Sequence, residues 1–382
     1  MGVFQQLHCP CLFKGWTIAL LMCCSLYGYA VEDNLLFFSK ASSVSCIDVK
    51  TESVWPIISC TKTVGAVDFD FNDSTQELSV IVEEDSDKTK KSETRMVLLS
   101  IDRSEDILCG KERAAFPVDH ATGIVTCQED FFALTVSRMI MNEEREYNTC
   151  VFRREPFSNI FSESRISKAV YHSDTKSLVY QRNEAWNSNV LSLYRYNYSS
   201  STSVGLQKKK IQEGQRLLSM YINDGAIHCA YGKYNEVFSV DALRDAGWSN
   251  VLSETSGRFI GEVADYIYYI VENVITRKSI RSRSVENIGD VRHIPWTGAS
   301  HPSIHIDDIA MSADGNYIAV MSDSLVGDGV HVGAHGDGVN AVTSLCISIY
   351  DVRASRWICT TIYNDMLYYI PKVCFGRANI LN

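Results

Sequence analysis

The sequence is poor in proline and lacks the motifs by which most enzyme classes are recognised. Only 7 of its 382 residues are proline, whereas 19 are tyrosine, 15 phenylalanine and 6 tryptophan, a mixture that favours a β-rich core. There is no Gly-x-Ser-x-Gly elbow, and no glycine-rich phosphate loop or dinucleotide fingerprint in a strand-to-helix context. The sequence therefore gives no direct support for a serine hydrolase, a nucleotide-binding protein or a dehydrogenase, and no cofactor is expected.

Long apolar runs are also missing, apart from one near the N-terminus. This run, 16–29, follows Lys14, and Gly28 and Ala30 supply the small residues required before a cut after Ala30. At roughly 15 residues it is shorter than a typical membrane span of about 20. The pattern predicts a signal peptide at 1–30, a single secreted domain at 31–382 and no membrane span after cleavage. An uncleaved N-terminal anchor is the alternative.

Basic residues are too few for a typical nucleic-acid-binding protein. Removal of residues 1–30 takes away one lysine and no acid, which changes the formal net charge from −10 to −11. We therefore expect no nucleic-acid partner. The sequence also lacks any Cys-x-x-Cys pair, which argues against a zinc knuckle or a thioredoxin-like site. Most cysteines of the mature chain occupy apolar, strand-like positions, where cysteine acts as a small buried hydrophobe.

A short apolar strand that ends in an acid recurs along the mature chain, and tryptophan often follows it. Copies lie at 44–48, 98–102, 237–241 and 346–351, and a fifth at 191–197 ends in asparagine. The average spacing of about 50 residues fits seven units, and four short strands per unit of this length are typical of a β-propeller blade. The sequence therefore predicts an all-β, seven-bladed propeller with four-stranded blades.

The first unit lacks its first strand, because Leu35–Phe38 already has the pattern of a second strand. The tail at 373–380 has the apolar pattern of a first strand. We therefore expect N- and C-terminal strands to pair in one blade, which would close the ring and remove its exposed sheet edges.

One hairpin carries a family resemblance. Ser312–Ala319 resembles the Ser-Pro-Asp-Gly-x-x-Leu-Ala hairpin of TolB-type and WD-repeat-like propellers, and His172–Val179 is a degraded copy without the glycine. The spacing of 6 or 7 residues from the repeated acid to tryptophan resembles the outer strands of WD repeats, although no Gly-His and Trp-Asp pair occurs. The resemblance spans about residues 34–380 and implies a fold without implying an activity.

Two acidic segments are weak candidates for metal sites. The glycine-rich segment 326–339 contains Asp328, His331, His335 and Asp337, side chains that suit zinc or a related ion. Their spacing matches no known ligand pattern, and a surface loop is the simpler interpretation. The segment Asp68-x-Asp70-x-Asn72 has the oxygen ligands that calcium favours, but it lacks the glycine and the later acid of a calcium loop. It fits the polar face of an innermost strand, and Asp265, Asp307 and Asp308 lie in comparable strands or at their ends.

Basic residues and glycosylation sequons mark candidate surface features. A basic group on the sixth unit could contact an acidic glycan or another protein, because Arg281 and Arg283 are predicted to share a strand face. The group consists of Arg277, Lys278, Arg281 and Arg283. Asn197 and Asn72 begin glycosylation sequons at predicted turns.

These patterns favour a secreted, non-catalytic binding scaffold. Its partner would be an extracellular protein or a glycan, bound by loops at one end of a central channel. The alternative is a propeller-fold hydrolase or lyase with a metal or an acidic and histidine site at that channel. The missing motifs favour the scaffold, but a site assembled from distant blades would leave no local motif.

Overall fold

The computed structural model describes most of the chain from residue 32 to residue 379. The described residues are 32–40, 43–58, 64–85, 92–104, 107–139, 145–164, 166–172, 174–183, 190–198, 200–210, 217–223, 226–231, 236–240, 249–252, 258–295, 305–325, 343–363 and 372–379. This part of the chain is all-β, and its one helical segment is a 3-10 turn at Val291–His293. The described part contains no helix that is long and apolar enough to cross a membrane.

The strands form seven four-stranded antiparallel sheets within the described residues. Sheet I contains Glu32–Lys40 (β1), Ser43–Asp48 (β2), Ser53–Ile58 (β3) and Val373–Asn379 (β28); sheet II contains Val64–Asn72 (β4), Glu77–Asp85 (β5), Ser92–Ser104 (β6) and Ile107–Pro117 (β7); sheet III contains Ala121–Cys127 (β8), Phe131–Met139 (β9), Arg145–Arg153 (β10) and Ser158–Ser164 (β11). Sheet IV contains Ile166–His172 (β12), Ser177–Asn183 (β13), Val190–Asn197 (β14) and Thr202–Lys210 (β15); sheet V contains Leu217–Asn223 (β16), Ala226–Tyr231 (β17), Glu236–Val240 (β18) and Ser249–Leu252 (β19). Sheet VI contains Arg258–Val263 (β20), Tyr266–Val271 (β21), Val274–Ser279 (β22) and Val285–Asp290 (β23); sheet VII contains His305–Met311 (β24), Tyr317–Leu325 (β25), Thr343–Asp351 (β26) and Arg356–Tyr363 (β27).

The hydrophobic core lies between neighbouring sheets. The second strand of a sheet, such as β1 in the order β28-β1-β2-β3 of sheet I, is therefore apolar on both faces. In β1, Leu35 and Phe37 pack in the cluster shared with sheet II, whereas Leu36 and Phe38 pack in the cluster shared with sheet VII. All four side chains are fully buried. Side chains alternate between the faces of a strand, so a continuous apolar run is what a strand covered on both faces requires.

The tail strand β28 pairs with β1, as the sequence predicts for the missing first strand of the first unit. The register is antiparallel, with Phe37 opposite Cys374 and Leu35 opposite Gly376. Glycine at 376 allows close packing, because a Cβ there would clash with the ring of Phe71 on β4. The two ends of the chain therefore meet in one sheet.

The first strands of the seven sheets contact one another in sequence order. Strand β4 contacts β8, β8 contacts β12, and the series continues through β16, β20 and β24 to β28, which in turn contacts β4. Four-stranded meander sheets arranged in this way are consistent with a β-propeller.

The conspicuous hairpin between β24 and β25 is closed by the side chains of its own motif. Ser312 Oγ donates to Asp314 Oδ1 at 2.6 Å and accepts from the Tyr317 backbone N–H at 2.9 Å. Gly315 has a φ of +71°, which lies in the left-handed region that glycine adopts without cost. The Ser-x-Asp-Gly signature therefore has a local structural reason.

The repeated acid at the end of a strand also has a local role. Asp48 closes the turn after β2 by accepting from the Lys50 N–H at 2.9 Å. Asn197 and Asp351 accept from the backbone N–H of Ser200 and Ala354 after β14 and β26, at 3.3 Å and 2.8 Å. Each of these three residues ends the third strand of its sheet, so the marker that revealed the repeat is a turn-forming side chain.

Several cysteines lie where the sequence predicts small hydrophobes. Cys46, Cys127, Cys150, Cys229 and Cys346 are buried in strands. The Cys127 thiol is enclosed beside Arg154, which bridges Cys127 and Glu77. Burial raises the pKa of Cys127, against the opposing charge of Arg154, so its thiol stays protonated.

Candidate functional site

Charged side chains from five different sheets lie on the first strand of their sheet or immediately before it. We call this set the first-strand cluster: Asp68 on β4, Lys168 on β12, Arg258 on β20, Asp308 on β24 and Lys372 immediately before β28. The first strands that carry these positions belong to the series of strand contacts described above. The cluster combines three cationic and two anionic side chains.

Asp68 faces inward because its neighbours in β4 are taken up by the cores. Val67 packs between sheets II and III, whereas Phe69 packs between sheets I and II. The Asp68 carboxylate accepts from Lys372 Nζ at 2.6 Å and from the Ile124 backbone N–H at 2.6 Å. One carboxylate therefore joins the inner edges of sheets I, II and III.

Lys372 is held in its charged form by two carboxylates. Burial by itself lowers the pKa of an amine, but the charges of Asp68 and Asp70 outweigh it and raise the pKa of Lys372 above its ordinary value. Its Nζ also lies 5.6 Å from the centroid of the Phe69 ring. This amine is therefore protonated and partnered at neutral pH.

Asp70 lies next along the same face of β4 and titrates close to neutrality. Burial raises its pKa to about 6, the charge of Lys372 works against this rise, and the charge of Asp68 adds to it. Cys374 lies beside this pair, and burial together with the charge of Asp70 raises the pKa of its thiol. Asp70 is thus a carboxyl group that can gain or lose a proton near physiological pH.

Lys168 is the cluster's accessible amine. Its side chain is exposed, and within the described residues it has no hydrogen-bond or ion-pair partner. Its pKa is lowered, first because the surrounding protein disfavours the charged form and second because the charge of Lys372 repels it. A side chain that is reachable by solvent yet desolvated by protein is expected along the wall of a channel or cleft.

Asp308 of sheet VII and Arg258 of sheet VI complete the cluster. Asp308 Oδ2 accepts from the Val373 backbone N–H at 2.8 Å, and Oδ1 lies 3.4 Å from Arg258 Nη2. Arg258 Nη1 also donates to the Ile306 carbonyl at 3.0 Å. Burial raises the pKa of Asp308, against the hydrogen bonds that stabilise its charged form. These contacts join sheets VI, VII and I.

A second polar group lies between sheets V and VI. Tyr221 on β16 donates to Glu262 Oε2 at 2.5 Å, and His228 Nδ1 on β17 lies 3.1 Å from the same oxygen. The Glu262 side chain has no solvent exposure, and the Tyr221 ring stacks on both His228 and Phe259. Burial, and then the charge of Glu262, raises the pKa of Tyr221, which keeps its hydroxyl as a donor. This arrangement fixes two neighbouring sheets to each other.

The structure separates the side chains of the calcium-like segment. Asp68 binds Lys372, Asp70 lies beside it, and Asn72 instead donates its side-chain N–H to the Cys127 carbonyl and accepts from the Ser74 N–H at 2.8 Å. Asp265 pairs with Arg281 at 2.9 Å, away from the cluster. Among the described residues no group of three or more histidine, cysteine or acidic side chains could hold a metal ion.

The other predicted site residues divide into those that are described and those that are not. The metal candidates Asp328, His331, His335 and Asp337 lie in 326–342, between β25 and β26, outside the described residues. The side chain of Asp307 is likewise outside them. Asn197 ends β14 at an exposed turn, whereas the side-chain nitrogen of Asn72 is engaged with Cys127.

The basic group of the sixth unit is partly neutralised in the structure. Arg277 forms an ion pair with Glu286 at 2.7 Å and lies over the Tyr266 ring, and Arg281 pairs with Asp265. The sequence prediction that Arg281 and Arg283 share a strand face is wrong, because both lie in the turn between β22 and β23.

Sequence reasoning missed the cationic members of the first-strand cluster. Lys168, Arg258 and Lys372 each stand directly before an apolar run, and a single charge at a strand start carries no site signal of its own. The one available signal was their position, because each precedes or opens a predicted first strand. Only the contacts between sheets bring them close to Asp68 and Asp308.

No protein-family model matches the chain, and no curated protein matches it in sequence. Among solved structures, it is similar to a putative 6-phosphogluconolactonase from Bacteroides uniformis, with a TM-score of 0.54, 9% identity and coverage of 90% of this chain and 99% of that chain. It is also similar to the periplasmic gluconolactonase PpgL from Pseudomonas aeruginosa, with a TM-score of 0.54, 11% identity and coverage of 90% and 98%. The β-propeller domain of the Trilobed protease from Pyrococcus furiosus matches at a TM-score of 0.46, with 11% identity and coverage of 77% and 82%. At these identities the likeness concerns the fold alone.

Proposed function

We propose that sheets I to VII are the blades of a closed, seven-bladed β-propeller. The cyclic contacts of the first strands support this arrangement, and so does the pairing of β28 with β1. In such a ring the first strands line a central channel, and the first-strand cluster lies on its wall. Residues 1–30 are proposed to be a signal peptide, the mature chain to be secreted, and Asn197 to carry a glycan.

The function that this site supports best is non-catalytic binding of a small polar ligand, of the kind found at the end of a glycan. The observation that carries this proposal is Lys168, an accessible donor with no partner among the described residues, in a cluster whose other charges are compensated. Ammonium and carboxylate groups together suit hydroxyl-rich ligands, because each hydroxyl both donates and accepts hydrogen bonds. Asp70 provides a second side chain for such contacts.

Calorimetry with simple methyl glycosides and free amino acids would test this proposal. We expect a glycoside to bind, and Lys168→Ala to weaken binding by about tenfold to a hundredfold, the effect of losing a hydrogen bond from a charged group. Lys176→Ala is the matched control, because Lys176 is an exposed lysine in the β12–β13 turn of the same sheet. Equal binding by both variants, or no binding by the unaltered protein, would contradict the proposal.

A second candidate is a hydrolase that acts at the same channel. The observation in its favour is Asp70, whose pKa of about 6 suits a general acid or base near neutral pH. Two of the similar structures bear the names of gluconolactonases, which makes a sugar lactone the first substrate to assay. Proton release on lactone opening should then exceed the spontaneous rate and fall with Asp70→Asn. A rate equal to buffer would exclude this candidate for the lactones assayed.

A further inference from the structure

The polar group between sheets V and VI brings three metal-ligating side chains together. Tyr221 and His228 lie directly opposite each other on β16 and β17, and their rings stack at a centroid distance of 5.3 Å. Glu262 reaches them from β20 of the neighbouring sheet, with Oε2 at 2.5 Å from the Tyr221 hydroxyl and 3.1 Å from His228 Nδ1. Only two of the three side chains are histidine or acidic, because the third donor is a phenol oxygen.

His228 Nδ1 is the atom of this group whose bonding is incomplete. The His228 side chain is only 9% exposed, and among the described residues Nδ1 has no hydrogen-bond partner. Glu262 Oε2 is close enough, but it does not lie in the direction that an N–H bond at Nδ1 requires. A buried nitrogen in this position is suited to sharing a cation with the carboxylate, because a shared metal ion lies off the line between its two ligand atoms.

The spacing of the three donor atoms fits the ligands of one ion. Two ligands that lie at right angles and about 2.05 Å from a metal ion are about 2.9 Å apart. The two observed distances, 2.5 Å and 3.1 Å, lie on either side of this value. The Glu262 side chain has no solvent exposure, and buried carboxylates are paired with cations or coordinate metals. A metal ion would replace the proton that the Tyr221 hydroxyl directs to Glu262.

We propose that Tyr221, His228 and Glu262 form a binding site for ferric iron between sheets V and VI. Carboxylate and phenolate oxygens suit a hard trivalent ion, and imidazole is also a common ligand of iron. Calcium and magnesium fit less well, because they prefer oxygen ligands alone. Binding releases one proton, since the phenol must lose its hydrogen to coordinate the ion, and no electron is transferred. The site uses no residue of the first-strand cluster and is independent of the function proposed above.

Visible absorption spectroscopy would test the proposal, because a phenolate bound to ferric iron absorbs visible light. On titration of the mature protein with ferric citrate, we expect a visible band that saturates at one iron per chain. Tyr221→Phe keeps the ring that stacks on His228 and removes the ligand oxygen, so it should lose the band. His228→Asn should weaken iron binding by about tenfold or more. Tyr266→Phe is the matched control and should keep the band, because Tyr266 is an exposed tyrosine on β21 of sheet VI.

Anomalous X-ray scattering from crystals of the unaltered protein soaked in ferric citrate locates the ion without any variant. The iron peak should lie within about 2.3 Å of His228 Nδ1 and of a Glu262 carboxylate oxygen. Near-ultraviolet circular dichroism establishes that Tyr221→Phe and Tyr266→Phe are folded. Absence of the band from the unaltered protein, its persistence in folded Tyr221→Phe, or an iron peak at other residues, which is an adventitious ion only, would overturn the proposal.

Discussion

At the scale of single residues, the protein compensates most of the charged side chains on its first strands with an opposite charge or a hydrogen bond. Asp68, Lys372, Asp308 and Arg258 each have a partner from another sheet. Glu262, which has no exposed side-chain surface, is contacted by a tyrosine and a histidine from the neighbouring sheet. Removing one partner of such a pair leaves a buried charge, so we regard these contacts primarily as determinants of how sheets are aligned.

Asp70 is the residue whose titration should be visible in the stability of the whole protein. Its pKa is about 6 in the folded chain and near 3.8 when unperturbed, so between these values the folded state holds more protons than the unfolded state. Stability should therefore decrease as pH rises from about 4 to about 6, by up to about 3 kcal/mol, and then stay level.

Urea unfolding across this pH range would measure the effect. Asp70→Asn removes the titration and should flatten the decrease, which leaves the variant relatively more stable above pH 6 than below pH 4. Asp119→Asn, at an exposed turn, should keep the behaviour of the unaltered protein. An unchanged pH profile in Asp70→Asn would show that another group is responsible.

At the scale of elements, the hairpins explain why only one repeat is conspicuous. Gly315 adopts the left-handed conformation in the β24–β25 turn, but Gln76, Lys176 and Ala264 adopt it at the corresponding turns of sheets II, IV and VI. These side chains occupy a region that is costly for any residue except glycine, asparagine or aspartate. At these turns the glycine of the Ser-x-Asp-Gly signature is therefore missing, although the chain turns there as well.

Gly315→Ala should destabilise the protein by roughly 1–2 kcal/mol, the cost of a left-handed conformation for a residue with a Cβ. A Cβ at this position would also lie 3.1 Å from Val263 Cγ1, a tight contact across the sheet interface. Ala313→Ser, at the exposed position of the same turn, is the control and should change stability little. Thermal unfolding measures both, and equal midpoints for Gly315→Ala and the unaltered protein would refute this account.

At the scale of the whole molecule, the tail connects the ends of the arrangement. Strand β28 pairs with β1, contacts β24 and β4, and brings Lys372 to Asp68. A single segment thus contributes to the hydrogen-bonded sheet, to the core beside Phe71 and to the first-strand cluster.

Deletion of residues 366–382 should therefore leave little soluble protein. A milder test is Gly376→Ala, whose Cβ would clash with the Phe71 ring and which should lower the unfolding midpoint. Gly205→Ala is the matched control, because a Cβ at 205 meets only Tyr194 Cε1, at 3.7 Å. Soluble, folded protein after the deletion would show that the ring does not depend on the tail.

Some of this architecture follows directly from the sequence. The repeated strand-ending acids predicted the repeat length. The missing first strand of the first unit predicted that the tail at 373–380 pairs with the N-terminal strand, and the structure confirms this pairing. Both predictions succeeded because turn chemistry and apolar patterning act over a few residues. The turn at Lys176 carried only a degraded copy of the hairpin motif, without its glycine, and the prediction that Arg281 lies on a strand is wrong because Arg281 lies in a turn.

The sequence by itself determined that the chain forms short strands in a repeat of about 50 residues, because hydrophobic alternation and turn-forming side chains are local properties. Tertiary structure alone decided that Asp68 meets Lys372 and that Glu262 meets Tyr221. The physical reason is distance along the chain. These residues are separated by tens to hundreds of positions, and only the packing of one sheet against the next sets which charges become neighbours.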